Sequence, residues 1–457
     1  ACQRRLIRRP PTTLSAAGSS EAHSRAGVAY AWYVVFVLLI AQAFAFLDRM
    51  IMGLLVGPIR QSFEISDTQF SLLAGLAFSL FYAVMGLPLS RIADTGSRRN
   101  LIAAGIAAWS LMTVLCGLAR GYWTLFAARV GVGVGEATLG PAAYSMITDY
   151  FPKNVLARAL SVYMVGVTLG SGFAYMLGSA VVSYVEGMDQ IMLPVFGAME
   201  GWQVTFVIIG IPGVLVSILM LATVKEPARA GVVDQDAIPV REVTQYLWQR
   251  RSAYLGHIFG ISIFIMVVYA LNLWGPSYFI RTFEYSRSEA GLTMGIIMIG
   301  AGTAGLLLAG TLADRFLSKG VQDAYPKTIL FSMIAMIPSA TALGFIDNDV
   351  VGIVFMTFAI FFSAFQGGIS GGTLQLMTPN RMRGQVMALY MLVANLIGLG
   401  LGPTIIAVTT DYVFGYDAAI GKSISICAAF LCPLGALILW RSLPSIKIQL
   451  EAQKASE

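Results

Sequence analysis

Long apolar runs recur along the whole chain, separated by short polar connections rich in Arg, Asp, Gly and Pro. In the first half they lie at about 29–57, 71–92, 100–119, 123–147, 157–184 and 204–224. In the second half they begin near Ala253, Ala290, Thr328, Val350, Val386 and Lys422. Each is long enough to cross a hydrocarbon layer of ~30 Å, and in that medium a helix satisfies its own backbone. The pattern predicts an all-α polytopic membrane protein with about twelve transmembrane helices in two pseudo-symmetric bundles of six. The expected organisation is a basic disordered tail (1–28), an N-terminal bundle (29–224), a connection with an interfacial helix (225–252), a C-terminal bundle (253–443) and a second tail (444–457). In the connection, Val240, Val243, Tyr246 and Leu247 share one helical face, as a helix lying in the membrane interface requires.

Composition sharpens this reading. Hydrophobic residues make up 57% of the chain and charged residues only 12%, with a mean hydropathy of +0.74, far from the usage of soluble domains. The net charge of +6 is dispersed among short connections rather than gathered on one face, so membrane lipids, not nucleic acid, are the expected anionic neighbours. Basic residues favour alternate connections: Arg91, Arg98 and Arg99; Lys153 and Arg158; Lys225 through Arg251; Arg315, Lys319 and Lys327; Arg381 and Arg383. That bias places both termini in the cytoplasm, in a plasma membrane or the inner membrane of a bacterium. Arg281 and Arg287 break it, and Glu284 and Glu289 are expected to offset them. Cys116, Cys427 and Cys432 fall within apolar runs and Cys2 in the tail, a spacing that builds neither a zinc site nor a disulfide framework. No metal or cofactor is expected, and the chain is read as a monomer.

Four charges stand inside apolar runs: Asp48 and Arg49 in the first, Arg129 and Glu136 in the fourth. A charge at membrane depth costs roughly 2.5–3.5 kcal/mol, so it needs a partner, a wet cavity or a function. Arg129 and Glu136 are seven apart, nearly on one helical face. Counting depth at ~1.5 Å per residue puts Asp48 ~12 Å and Arg129 ~9 Å below the outer ends of their helices, so the two are expected to meet, with Glu136 about 10 Å deeper. Burial raises a carboxyl pKa and a nearby guanidinium lowers it, so a change of partner during a conformational change moves a proton. Static interhelical pairing is the plainer alternative, and it gains little over apolar packing. Across the chain, Ser363, Gln366, Ser370 and Thr373 recur at helical spacing, and Tyr269 and Asn272 share a face. They are expected to supply the uncharged wall of a cavity for an amphiphile with an anionic head, although such residues also simply bond neighbouring helices.

Ser90 through Arg99, with Asp94, Arg98 and Arg99, follows the second run, and Gly310 through Arg315, with Asp314 and Arg315, follows the corresponding run of the second half. The second copy matches the opening of the Gly-x-Leu-Ala-Asp-Arg-x-Gly-Arg-Arg signature, and the chain resembles the major facilitator superfamily. Leu47-Asp48-Arg49, Arg129 with Gly135-Glu136-Ala137, and Gly170-Ser171-Gly172 make it most similar to the spinster branch. The N-terminal copy departs from the signature at Ser90, Thr95 and Ser97. The resemblance implies alternating access by rocking bundles, with a lysophospholipid or sphingoid phosphate as substrate. It implies proton coupling at Asp48 and Glu136, with Arg49 and Arg129 as charge partners of the substrate. Asp94 with Arg98 and Arg99, and Asp314 with Arg315, are expected to latch the cytoplasmic side. Transport of another small organic anion or drug-like compound is the alternative, as is a sensor or scaffold that has lost transport. An enzyme is disfavoured: Gly368-Ile369-Ser370-Gly371-Gly372 fits a nucleophile elbow, but the elbow needs a strand-to-helix turn and a histidine base. Only His23 and His257 are available, and His257 reads as an interfacial residue.

Overall fold

In the computed structural model, residues 16–185, 191–193, 197–228 and 239–456 are described. Eleven helices among them are long and apolar enough to span a membrane. The first, second and third spans are Gly27–Leu54, Asp67–Gly86 and Arg98–Gly117; the fifth and sixth are Arg158–Tyr184 and Gly201–Thr223. The seventh to twelfth are Arg251–Phe283, Arg287–Ser318, Ala324–Phe345, Asp349–Met377, Arg383–Phe414 and Asp417–Lys454. The fourth expected span is two helices, Tyr122–Glu136 and Leu139–Tyr150. At the join, the Thr138 hydroxyl donates to the Gly135 carbonyl at 2.9 Å, so a side chain competes with the helical ladder directly after Glu136. Between the fifth and sixth spans Ile191–Leu193 pairs antiparallel with Gly197–Met199, a hairpin that no pattern in the sequence announced.

Within the N-terminal half the first span packs on the fifth and the third on the sixth; within the C-terminal half the twelfth packs on the seventh and ninth. Large apolar side chains such as Leu215, Phe430 and Phe173 remain exposed on the outer helix faces, as lipid-facing positions do. The helix of the first span begins at Ala16, within the segment expected to be a tail, while residues 1–15 lie outside the described part. The last helix runs to Ser456 rather than stopping at 443, because Ile446 and Leu450 still have a core to enter. In the connecting helix Val240–Gln249, Val243 and Leu247 are buried against the protein and Trp248 is exposed. Residues 229–238 of the connection lie outside the described part.

The halves meet through two related helix pairs, the second with the eleventh and the fifth with the eighth. Small residues set both approaches. A Cβ on Gly75 would stand 2.9 Å from the Leu399 carbonyl, and Gly172 and Gly295 are reciprocal, each Cβ falling 2.9 Å from the other's carbonyl. The second, eighth and eleventh spans carry π-helical segments there, at Leu72–Leu76, Met298–Gly302 and Ala394–Leu401. Such segments are rare and gather where helices perform a function.

On the face opposite the Val240–Gln249 connection the halves are also joined by charge. Asp67, fully buried, accepts two bonds from Arg281 at 2.5 and 2.7 Å and lies 3.1 Å from Arg60. Arg60 continues to Asp417 at 2.7 Å, and Asp411 accepts from the Thr68 amide and hydroxyl at 2.7 and 2.6 Å. Phe70 meets Trp274 edge to face at 6.2 Å beneath this layer. Arg281 is therefore matched by Asp67, across the halves, and not by Glu284 as charge counting suggested. On the connection face, Arg98 pairs with Asp149 and Glu226, Lys327 with Asp323 and Lys447 with Glu451, each within one half.

Asp67→Asn strips the countercharge from Arg281 and Arg60. Removing one member of a buried pair costs several kcal/mol, and solvent at the two arginines reduces that to about 2 kcal/mol, a ~30-fold shift toward opening on this face. Hydrogen exchange should rise in 67–76 and 273–281, while Glu284→Gln leaves it unchanged.

Candidate functional site

The four intramembrane charges come together in the N-terminal half, in an arrangement the depth count anticipated only in part. Glu136, whose side chain is 0% exposed, is paired with Arg49 of the first span, with Nε at 2.7 Å and Nη2 at 2.6 Å from Oε2. Arg129 does not bond Glu136 although both occupy one helix. Nor does it meet the Asp48 carboxylate: its Nη1 donates to the Asp48 main-chain carbonyl at 3.4 Å. The Asp48 carboxylate faces the Thr113 hydroxyl of the third span and makes no ion pair among the described residues. Asp48 and Arg129 do lie side by side, but rotation about each helix axis decides which atom faces which. Three buried polar atoms lack a hydrogen-bond partner: Oδ1 of Asp48, Oε1 of Glu136 and Nε of Arg129.

Aromatic rings complete the cluster. The Arg49 guanidinium lies 4.6 Å from the Phe78 ring centre, 4.9 Å from Tyr82 and 5.0 Å from Phe46, and Arg129 lies 5.5 Å from the same Phe78 ring. A desolvated cation over a ring gains ~1–2 kcal/mol, so Phe78 offsets part of the burial of both arginines. Phe78 and Tyr82 are one turn apart on the second span and stack at 5.4 Å. Sequence reading passed over them as ordinary span residues, and their i, i+4 aromatic spacing was the available signal. Tyr269 of the seventh span lies within electrostatic reach of Arg49, so the C-terminal half borders the charge pair. Tyr163 donates to Gln42 at 2.6 Å and stands edge-on to Tyr144 at 5.7 Å, extending the polar and aromatic surface along the first, fourth and fifth spans.

The expected uncharged wall is only partly formed. Tyr269, Asn272 and Gln366 are partly exposed. Ser363, Ser370 and Thr373 are buried within the C-terminal bundle. Ser363 and Thr373 donate to carbonyls of their own helix, those of Ile360 and Ile369, at 2.8 and 3.0 Å. The helix breaks between Ser363 and Gln366, so the four residues do not form one stripe. Ser370 accepts from Tyr390 at 3.0 Å, and its carbonyl meets His257 Nε2 at 3.0 Å. His257 is fully buried, not interfacial. Ser370 lies inside the helix Gln366–Met377 with no strand before it, so a nucleophile elbow is not formed.

At the expected latch on the connection face, Arg98 is buried and committed within its own half. It bonds Asp149, Glu226 and Ser145, with the last two at 2.8 and 2.9 Å. The Arg99 amide also donates to Glu226, at 2.8 Å. Asp94 belongs to the helix Ala77–Thr95, and its side chain lies outside the described part. Asp314 is exposed and accepts from Tyr325 at 2.9 Å, and Arg315 is exposed beside it without an ion pair among the described residues. Arg98 and Asp314 thus anchor helix ends within their own halves, and the Asp67 cluster joins the halves on the opposite face.

A sequence model of the Major Facilitator Superfamily matches residues 38–403. The chain is 25% identical over 438 residues to an MFS-type efflux pump of Mycolicibacterium smegmatis, covering 93% of this chain and 95% of that one. It is 24% identical to protein spinster homolog 1 of Xenopus laevis, covering 86% of this chain and 76% of the relative. A bacterial homolog of the human lysosomal transporter spinster, in an inward-facing and occupied conformation, superposes with a TM-score of 0.69 at 26% identity, covering 93% of this chain and 95% of that one.

Breaking the buried pair from one side should be worse than removing it. Glu136→Leu strands Arg49 and should cost about 3 kcal/mol, whereas Arg49→Met with Glu136→Leu should recover most of that. Thermal unfolding in detergent of the two variants checks the order.

Proposed function

The chain belongs to the Major Facilitator Superfamily, and from that premise we propose that it is a proton-coupled secondary transporter carrying an amphiphilic anion of the lysophospholipid or sphingoid-phosphate type by alternating access. That it is a multi-pass membrane transporter follows from the family and the eleven apolar helices. The observation that carries the finer reading is the Arg49–Glu136 pair, buried in a collar of Phe46, Phe78, Tyr82 and Tyr269.

Arg49 is a planar bidentate donor suited to a carboxylate or a phosphate, and Glu136 engages it in this structure. An entering anionic head group competes for the same donors. A carboxylate that loses its cation inside a membrane takes up a proton rather than stay charged and unpaired, and Glu136 Oε1 has no partner in the way. The exchange of partners links cargo to proton without a metal or cofactor. The rings around Arg49 and the partly exposed Tyr269, Asn272 and Gln366 suit an amphiphile, whose head seeks charge while its chain seeks apolar surface. Asp48 is the second proton site in this scheme, and Arg129, on Phe78 beside it, is the charge it answers to. In this scheme Asp67, Arg281 and Arg60 close the halves on the face opposite the connection, and cargo enters from the connection face. Rocking one bundle against the other across the Gly75 and Gly172–Gly295 approaches reverses it.

One second reading has support: a small organic anion as cargo. Relatives 22–23% identical include a probable galactarate/D-glucarate transporter and a hexuronate transporter of Bacillus subtilis. The same arginine serves a sugar acid, and the aromatic collar then has less to do.

In proteoliposomes at two internal pH values, wild-type uptake of a lysophospholipid should change at least ~10-fold with the imposed gradient, and Glu136→Gln should lose that response while retaining binding. Equal pH response in Glu136→Gln contradicts proton coupling at this residue. Uptake of glucarate without uptake of lysolipid or sphingoid phosphate replaces the amphiphile by the second reading.

A further inference from the structure

Away from the transport site, a cavity of about 430 Å³ opens where the ninth and twelfth spans reach the connection face, lined by Asp323, Lys327, Trp440, Arg441, Pro444 and Lys447, with Leu443 on its wall. Its place across the membrane follows from helix length. The twelfth span enters at Asp417 on the opposite face, and Trp440 comes 23 residues later, roughly 35 Å along the axis at ~1.5 Å per residue. Trp440 is 59% exposed there, at the depth where tryptophan rings sit among head groups. Asp323 directly precedes the ninth span, with its carboxylate turned to Lys327 rather than to the helix end.

Charge in the cavity is unequal. Lys327 is bonded to Asp323 at 2.9 Å, and Lys447 stands a distant 3.9 Å from Glu451. Arg441 makes no ion pair among the described residues and is exposed. The rim therefore carries one cation with no partner and a second held loosely, over a wall of Leu443, Pro444 and the Trp440 ring. Pro444 lacks an N–H and crowds the carbonyl of Trp440 four residues before it, which weakens the helix where the cavity opens. A basic pocket between membrane helices at head-group level, with apolar walls below, matches an anionic lipid with its phosphate at the rim and its chains against the helices.

We propose that this cavity is a binding site for an anionic diacyl phospholipid of the surrounding leaflet, with Arg441 and Lys447 holding the phosphate, Lys327 at its edge and Trp440 covering the glycerol region. The site is separate from the transport pathway, and the inference stands whatever the cargo.

The full-length protein is reconstituted in phosphatidylcholine vesicles with and without phosphatidylglycerol, and thermal unfolding is followed. Phosphatidylglycerol should raise the midpoint of the wild type by roughly 2–4 °C. Arg441→Gln with Lys447→Gln should lose at least half of that increment, and Arg441→Lys with Lys447→Arg should keep it. An undiminished increment in the glutamine variant overturns the site. Inorganic phosphate or glycerol 3-phosphate in phosphatidylcholine vesicles should give no increment, and an equal one assigns the cavity to soluble phosphate instead of lipid. Should the double glutamine variant fail to fold, Arg441→Gln alone is read by the same criterion.

Discussion

An ionised side chain inside hydrocarbon is costly unless a counterion, a carbonyl or an aromatic face compensates it, and that need accounts for where the charge clusters of this structure lie. Arg49 and Glu136 satisfy it within the N-terminal half, with Phe78 shared between Arg49 and Arg129. Asp67 satisfies it across the halves, drawing Arg281 and Arg60 to one buried carboxylate. Arg98 satisfies it at a helix end, between Asp149 and Glu226. A pair within one half persists while the bundles move. A pair between halves must break when they part, so the position of a pair relative to the seam decides whether it is a site or a latch.

The two charge clusters are connected through the first span. Its α-helix ends at Met50, directly after Asp48 and Arg49, and continues as the tighter turn Ile51–Leu54. In that turn a Cβ on Gly53 would meet the Leu273 carbonyl of the seventh span at 2.7 Å, one residue before the Trp274 that supports the latch. A separation of the halves on the latch face therefore displaces the backbone that carries Arg49. Tyr269, one turn away along the seventh span, lies within electrostatic reach of Arg49 from the other half. The buried Arg49–Glu136 pair and the Asp67 cluster share one short stretch of backbone, so in the proposed cycle a small change at the pair biases a two-state movement of bundles.

Much of this was legible from residues alone. Twelve apolar runs predict the spans because hydrocarbon permits little else, and four charges in such runs mark the candidate site because their cost is high wherever they point. What failed depends on rotation and on distance along the chain. Helical spacing placed Ser363, Ser370 and Thr373 together, but a hydroxyl can bond its own helix, so a polar stripe does not reveal which face is wet. Arg129 was brought to the correct depth and met a carbonyl instead of a carboxylate. Asp67 and Arg281 are 214 positions apart, and only the irregular charge of Arg281 on its connection hinted at a buried partner. Of the residues expected to latch the connection face, Arg98 is held within its own half by Asp149 and Glu226, and Asp314 accepts from Tyr325 of the same half.

The central claim is that an anionic cargo and a proton exchange places on the Arg49–Glu136 pair. Infrared difference spectroscopy on reconstituted protein, recorded as a lysophospholipid is added at fixed pH, reads that exchange directly. The account predicts loss of one carboxylate band and gain of one protonated carboxyl band, both absent in Glu136→Gln. A bound lipid that leaves every carboxylate band of the wild type unchanged would contradict it.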